Sequence, residues 1–180
     1  TKPQLPQANI AIVIGGILPD IPIFIFYFWA KFIARLPEAK IWSEAYYQPL
    51  IQNIVAIFHS IPVAIIGWRI SYYFGWQIMQ FICISLLFHS LLDLPVHNDD
   101  AHRHFFPFSN YRFISPISYW DPKHYGPIVA LIEILLVLLA TLQVFPGINS
   151  LVGKGLMILV NIFYWGSYTY FYLRSRVLIN

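Results

Sequence analysis

The stretch around which this sequence is arranged reads Phe88-His89-Ser90-Leu91-Leu92-Asp93-Leu94-Pro95-Val96-His97-Asn98-Asp99-Asp100-Ala101-His102-Arg103-His104. It follows an apolar run and holds four of the six histidines and three of the eight acidic residues of the chain. His89 and Asp93 are four residues apart, which places them on one face of a helix. Pro95 predicts the end of that helix. Imidazole and carboxylate together form the ligand set of zinc and similar divalent ions.

The composition predicts a membrane protein. Hydrophobic residues make up 58% of the 180 positions and charged residues only 11%, whereas a soluble domain has about 25% charged residues. The charges lie mostly between or at the ends of long apolar runs. We therefore expect an all-α, polytopic transmembrane bundle forming one domain over residues 1–180. No basic cluster resembles a nucleic-acid footprint, so no nucleic-acid partner is expected.

The apolar runs predict five transmembrane helices and one long loop. The predicted spans cover residues about 9–33, 49–68, 72–94, 127–145 and 148–173, and the polar and aromatic loop covers 95–125. Pro19 and Pro22 predict a break in the first span, beside the charged Asp20. Arg69 marks a predicted tight turn between the second and third spans.

The distribution of basic residues predicts the orientation. With five spans, three basic residues fall on the N-terminal side, Lys2, Arg69 and Lys154. Eight fall on the other side: Lys31, Arg35, Lys40, Arg103, Arg112, Lys123, Arg174 and Arg176. The positive-inside rule then predicts that the second side, with the C-terminus and the histidine-rich loop, is cytoplasmic.

Ionisable residues within the apolar spans are the main functional signal. Those inside a span or at its end are Asp20, His59, His89, Asp93 and Glu133. Such groups are costly in a membrane unless they are paired or bind an ion. Three interpretations stay open: buried hydrogen-bond networks that hold helices together, one or two bound metal ions, and a proton or ion pathway.

A short repeat relates the second and third spans. Phe58-His59-Ser60-Ile61 recurs as Phe88-His89-Ser90-Leu91. Counted from a turn near Arg69, the two histidines differ in depth by roughly 12 Å for straight helices at a rise of about 1.5 Å per residue. They can share an ion only if the turn begins later or a helix bends.

The loop after Pro95 is rich in aromatic residues. It is interpreted as an interfacial lid, a flap over the polar site that shapes a substrate pocket, or both. Arg112 is a candidate for gripping a phosphate or carboxylate. Asp121, which precedes Pro122, is predicted to cap the next helix rather than to bind metal.

The sequence resembles a known family, the bacterial membrane-bound metal-dependent hydrolases. The resemblance covers roughly residues 10–135. It rests on Leu18-Pro19-Asp20, Phe58-His59-Ser60, Phe88-His89-Ser90-Leu91-Leu92-Asp93, Phe106-Pro107-Phe108 and Ser118-Tyr119-Trp120-Asp121-Pro122-Lys123-His124-Tyr125-Gly126. The order Asp, His, His-x-x-x-Asp is also similar to that of zinc-dependent phospholipase C.

The resemblance implies metal-dependent hydrolysis of a lipid or membrane-associated ester or phosphoester, in a bacterial inner membrane or another internal membrane. Zinc is the expected metal, and it would lower the pKa of bound water and polarise the scissile bond. The expected metal ligands are Asp20, His59, His89 and Asp93, with His97 or Glu133 completing the set. Asp99 or Asp100 is the expected general base. Arg112 and His104 are the expected substrate-binding residues.

Two alternatives remain. Members of the resembling family carry a histidine-containing element ahead of the first span, and no histidine precedes Asn9 here. Either that ligand lies in residues that precede Thr1, as expected for a sequence that does not begin with methionine, or the site is incomplete. The other interpretation of the chain is non-enzymatic: a structural or assembly subunit of a larger membrane complex. In it the polar cluster holds helices together with or without a metal, and the aromatic-rich last span suits contact with a partner, a pigment or lipid.

Overall fold

A computed structural model describes residues 6–174, and no strand occurs in that range. Its α-helices are α1 (Pro6–Ile17), α2 (Ile21–Phe28), α3 (Glu38–Lys40), α4 (Pro49–Phe58), α5 (Ile61–Tyr73), α6 (Gln77–Asp93), α7 (Gly126–Val144) and α8 (Leu151–Tyr168). Single π-helical segments continue α2, α3 and α8, over Trp29–Ile33, Ile41–Ala45 and Thr169–Arg174. The predicted all-α class is confirmed.

The chain divides into two compact units. The first contains the described residues up to Pro95 together with Asp99–Ser115, and the second contains Val96–Asn98 and the described residues from Pro116 onward. The predicted loop 95–125 is therefore shared between the two units. In the first unit, a small core of Phe26, Ala30, Ile41, Tyr46 and Val55 joins α2, α4 and the segment between them.

Among the residues that the structure describes, two helices are long and apolar enough to cross a membrane. They cover Gln77–Val96 and Gly126–Gly147, 20 and 22 residues, or about 30 and 33 Å against a hydrocarbon core of about 30 Å. Two further helix pairs are bent, and the number of candidate spans rises to four if each pair is one span. The pairs are Gln7–Ile17 with Ile21–Ile33 and Pro49–Phe58 with Ile61–Tyr73. The α8 helix occupies the predicted fifth span but does not qualify among the described residues, so five spans are not confirmed.

The break between α1 and α2 follows from two prolines. Pro19 and Pro22 have no backbone N–H to donate, and the helix axes on either side differ by 57°. Asp20 precedes α2, but its side chain caps no backbone N–H of that helix in the described structure. The carboxylate is therefore available to other groups. The predicted break is confirmed.

A second break, not predicted from the sequence, lies at His59 and Ser60. The α4 and α5 axes differ there by 47°. The Ser60 hydroxyl caps α5 by accepting from the Val63 N–H at 3.1 Å. The Ile61 N–H, which as the first of α5 has no acceptor within that helix, donates to the His104 carbonyl at 2.9 Å. A carbonyl from the histidine-rich loop thus satisfies a backbone donor that the break frees.

The turn between the second and third apolar segments comes later than predicted. Arg69 lies within α5, and the chain reverses around Gly75, whose φ of +70° is a conformation that favours glycine. His59 is sixteen residues before Gly75 and His89 is fourteen after it. The expected mismatch in depth therefore disappears, because the turn is later and the first helix of the pair bends.

Candidate metal centre

Five ionisable side chains of the first unit converge at the two helix breaks. Asp20 comes from the first break, His59 from the second, His89 and Asp93 from α6, and His102 from the loop. They form two groups of three, Asp20 with His59 and His89, and His59 with Asp93 and His102. In each group the potential ligand atoms lie within 4.8 Å of one another. Because both groups contain His59, they describe one site.

The two carboxylates lie between the imidazoles. Asp93 Oδ2 is 3.6 Å from His59 Nε2, 3.8 Å from His89 Nε2 and 3.8 Å from His102 Nε2. Asp20 Oδ1 is 3.6 Å from His59 Nε2 and 3.9 Å from His89 Nε2. Every one of these separations exceeds the 2.7–2.9 Å of a charge-assisted hydrogen bond between nitrogen and oxygen.

Backbone carbonyls determine which ring nitrogen carries the proton in two imidazoles. His59 Nδ1 is 2.9 Å from the Val55 carbonyl oxygen, and His89 Nδ1 is 2.8 Å from the Gly16 carbonyl oxygen. A carbonyl oxygen can only accept a hydrogen bond, so each Nδ1 must be the donor and carry the proton. In the neutral imidazole, Nε2 is then left with a lone pair.

Those lone pairs face carboxylate oxygens, which are also acceptors. Both Nε2 atoms are buried and have no hydrogen-bond partner among the described residues. Acceptors arranged in this way repel one another unless a cation lies between them. A tetrahedral zinc site with bonds of about 2.1 Å separates its ligand atoms by about 3.4 Å, close to the 3.6–3.9 Å found here. The residues therefore fit a divalent metal ion, with the carbonyl-bound histidines typical of metal ligands.

The histidine-rich loop contacts the second break directly. The Ser60 hydroxyl donates to the Phe106 carbonyl, and the His59 and His102 ring centroids are 4.1 Å apart. His102 is buried. His102 was not among the metal ligands predicted from the sequence. In the sequence, the position of His102 among closely spaced histidines and aspartates was the available signal that it could be a ligand. The hydrogen bonds that dock its loop, however, form at the break at His59 and Ser60, which was not predicted.

The two residues predicted to bind substrate lie in the first unit but outside the two groups of possible metal ligands. His104 is buried, with ring centroids 6.0 Å from His102 and 6.5 Å from His59. Arg112 donates to the Ala101 carbonyl and, at 2.7 Å, to Gln52 Oε1, which ties the loop to α4. The substrate-binding roles of His104 and Arg112 stay predictions.

Asp99 and Asp100, the expected general bases, belong to neither group of three. Asp99 is exposed and Asp100 is partly buried. Burial raises the pKa of Tyr47, and the negative charges of Asp99 and Asp100 raise it further. Their catalytic role stays a prediction.

The remaining two predicted ligands belong to the second unit. The His97 ring contacts Tyr119 edge-on, with centroids 5.1 Å apart. Glu133 Oε1 accepts a hydrogen bond from the Tyr164 hydroxyl at 3.0 Å, between α7 and α8. Neither His97 nor Glu133 is in the ion-sized groups of the described residues, and their assignment as ligands stays a prediction.

Asp121 caps the 3₁₀ turn Pro122–His124, whereas α7, the helix it was predicted to cap, has no side-chain cap in the described structure. Its carboxylate accepts from the Lys123 N–H at 2.9 Å and contacts His124 Nδ1 at 2.7 Å. The pKa of Asp121 is lowered mainly by the hydrogen bond from the Lys123 N–H and, to a lesser extent, by the contact with His124.

Comparisons with known proteins do not assign the chain to a family. No family model matches it, and neither curated proteins nor solved structures give a match. The resemblance in the sequence therefore stays an expectation, and the proposed function rests on the geometry of the site.

Proposed function

We propose that this protein is a membrane-resident, metal-dependent hydrolase. Its ion takes its ligands from Asp20, His59, His89, Asp93 and His102, with a coordination position left open, and zinc is the metal that best suits this donor set. The observation that supports the proposal is that the Nε2 atoms of His59 and His89, whose Nδ1 atoms donate to backbone carbonyls, face two carboxylates at distances suited to a shared cation.

The donor set favours a catalytic ion over a structural one. Structural zinc sites are closed and usually contain cysteine thiolates, whereas hydrolytic zinc sites use histidine with a carboxylate and keep a position open. His59 is fully buried, but the Asp20 side chain is 40% exposed, so the cluster is accessible from that edge. A divalent ion held here would supply Lewis acidity toward a substrate oxygen.

The position of the cluster supports a membrane-associated substrate. Asp93 lies three residues before the end of the candidate span Gln77–Val96, or about 5 Å along a helix. That depth corresponds to the boundary between hydrocarbon and headgroups. We propose a lipid or other membrane-associated ester or phosphoester as substrate, with Asp99 or Asp100 as general base.

Hydrolysis by purified protein tests this function. We expect the protein in detergent to hydrolyse a phospholipid or a long-chain p-nitrophenyl ester, to lose activity with a chelator and to regain it with zinc. If Asp99 or Asp100 is the base, its asparagine variant should lose about 10²- to 10⁴-fold in rate with unchanged metal content. The other variant serves as the matched control. A metal-loaded protein inactive on every ester and phosphoester tested would contradict the hydrolase proposal.

We further propose five spans, with α8 as the fifth, and a cytoplasmic C-terminus in a bacterial inner membrane. The charge asymmetry of three against eight supports this orientation. A reporter fused after Asn180 should therefore report the cytoplasm, and one fused before Thr1 should report the opposite side. Both termini on the same side would indicate four spans. A C-terminus outside the cytoplasm would reverse the orientation.

A non-enzymatic role as a subunit of a membrane complex is the second candidate. It is favoured by α8, which has no buried residue among its described positions, so its aromatic-rich surface is open to lipid or to another protein. Copurification of a stoichiometric partner in mild detergent, together with inactivity of the metal-loaded protein, would select this candidate over the hydrolase.

A further inference from the structure

The α1 and α6 helices pack together along a seam that leads to the metal centre. At one end, the Ser85 hydroxyl donates to the Ile12 carbonyl at 2.7 Å. One turn of α6 further on, His89 Nδ1 donates to the Gly16 carbonyl at 2.8 Å. Both hydrogen bonds join a side chain of α6 to the backbone of α1, so they depend directly on the distance between the two helices.

Gly15 lies within this seam at a point of very close approach. A Cβ at this position would be 2.4 Å from the Ile82 carbonyl oxygen and 2.7 Å from Ser85 Cβ. Non-bonded heavy atoms at their optimal separation are about 3.5–4.0 Å apart. The nearer obstacle is a helix backbone atom, which cannot rotate away as a side chain can. Any residue other than glycine must therefore push α1 away from α6.

The neighbouring Gly16 has no such restriction. A Cβ there would meet only Ser85 Oγ, at 3.6 Å, which is an ordinary van der Waals contact. Both glycines lie in α1, so replacement by alanine gives each position the same gain in helix propensity. The two positions differ in what the added methyl group meets across the seam, which makes them a matched pair.

We propose that Gly15 is the positioning residue of the metal centre. Its missing side chain lets α1 approach closely enough for the Gly16 carbonyl to hold His89 with its proton on Nδ1 and its lone pair on Nε2. The same approach sets Asp20, five residues further along, against His59 and His89. The inference rests on the proposed metal-binding function but concerns how the site is built.

The size of the required movement supports this role. Relieving a contact of 2.4 Å requires a shift of about 1 Å, because carbon and oxygen approach no closer than about 3.3 Å without strain. The same shift would lengthen the bond from His89 to the Gly16 carbonyl to roughly 3.8 Å, outside hydrogen-bonding range. His89 would then lose the acceptor that fixes its tautomer.

The test compares Gly15→Ala with Gly16→Ala by two measurements. Zinc titration of the purified protein should show about 10- to 100-fold weaker binding for Gly15→Ala, the usual cost of losing a partner that orients a metal ligand. Gly16→Ala keeps the backbone carbonyl that His89 contacts and adds a methyl group at ordinary contact distance, so it should stay within about twofold of wild type. In metal-free protein labelled with ¹⁵N-histidine, His89 should be the Nδ1–H tautomer in wild type and Gly16→Ala but lose that preference in Gly15→Ala.

The outcomes separate this inference from the proposed function. Wild-type binding of zinc, with Gly15→Ala equal to wild type in affinity and in His89 tautomer, would overturn only the role of Gly15. A wild type that binds no metal would defeat the proposed function, while the metal-free tautomer comparison would still decide whether Gly15 positions His89. If Gly15→Ala does not give a helical, monodisperse protein, Ser85→Ala tests the same seam. It should weaken binding about fivefold, as expected for one lost hydrogen bond, and unchanged binding and tautomer would overturn the inference.

Discussion

Replacing Asp93 with asparagine is expected to abolish metal binding and hydrolysis together. Asp93 Oδ2 is the oxygen shared by three imidazoles, within 3.6–3.8 Å of each Nε2. The amide keeps nearly the same shape but removes one of the two negative charges that face these nitrogens. Loss of a group that only hydrogen-bonds to a metal ligand can weaken metal binding by about 100-fold, and loss of a ligand itself should cost more. Calorimetric titration with zinc in detergent measures the affinity.

Asp121→Asn is the matched control for this variant. It makes the same chemical change to a carboxylate whose partners are Lys123 and His124, in the second unit. Zinc affinity should therefore be unchanged. Equal zinc affinity in Asp93→Asn and wild-type protein would exclude Asp93 as a ligand and with it the proposed site.

Replacing His59 with alanine is expected to have the largest effect on stability. The side chain is completely buried, and its Nε2 lies 3.6 Å from both Asp20 and Asp93. Truncation leaves a cavity and removes the imidazole between two carboxylates. A cost of about 3 kcal/mol is expected for a buried ring of this size. Thermal unfolding in detergent, followed by circular dichroism, measures the loss.

Zinc should also stop stabilising the His59→Ala protein. A ligand that binds only the folded state stabilises by about 2.7 kcal/mol at 100 times its dissociation constant, so wild-type protein should unfold at a higher temperature in excess zinc. His124→Ala, which changes a partly exposed histidine paired with Asp121, should retain that shift. A zinc-dependent shift retained by His59→Ala would remove His59 from the site.

Local patterns in the sequence were sufficient for part of this site. The four-residue spacing predicted that His89 and Asp93 share a helix face, and they do, with Nε2 and Oδ2 3.8 Å apart. Pro19 and Pro22 predicted the break that places Asp20 outside regular helix. In each case the structure follows from the properties of neighbouring residues: helical periodicity for the pair, and missing backbone donors for the prolines.

The rest of the site depends on contacts between distant residues. Pro62 occupies the first turn of α5 as Pro22 occupies that of α2, and because proline cannot continue a preceding helix it was an available local signal for the second break. The break is stabilised by the Ser60 cap and by the His104 carbonyl, which accepts from the Ile61 N–H 43 residues earlier in the chain. The placement of His102 follows from the same docking of the loop. The polarity of the residues alone could not distinguish a turn at Gly75 from the predicted turn at Arg69.

Elemental analysis of wild-type protein, purified without chelators, tests the metal centre most directly. We expect close to one zinc or similar divalent ion for each chain, since the two groups of possible ligands share His59 and describe a single site. The double variant His89→Ala with Asp93→Ala should contain none. Wild-type protein that is folded and free of metal, and that takes up none when zinc is added, would contradict the proposed centre.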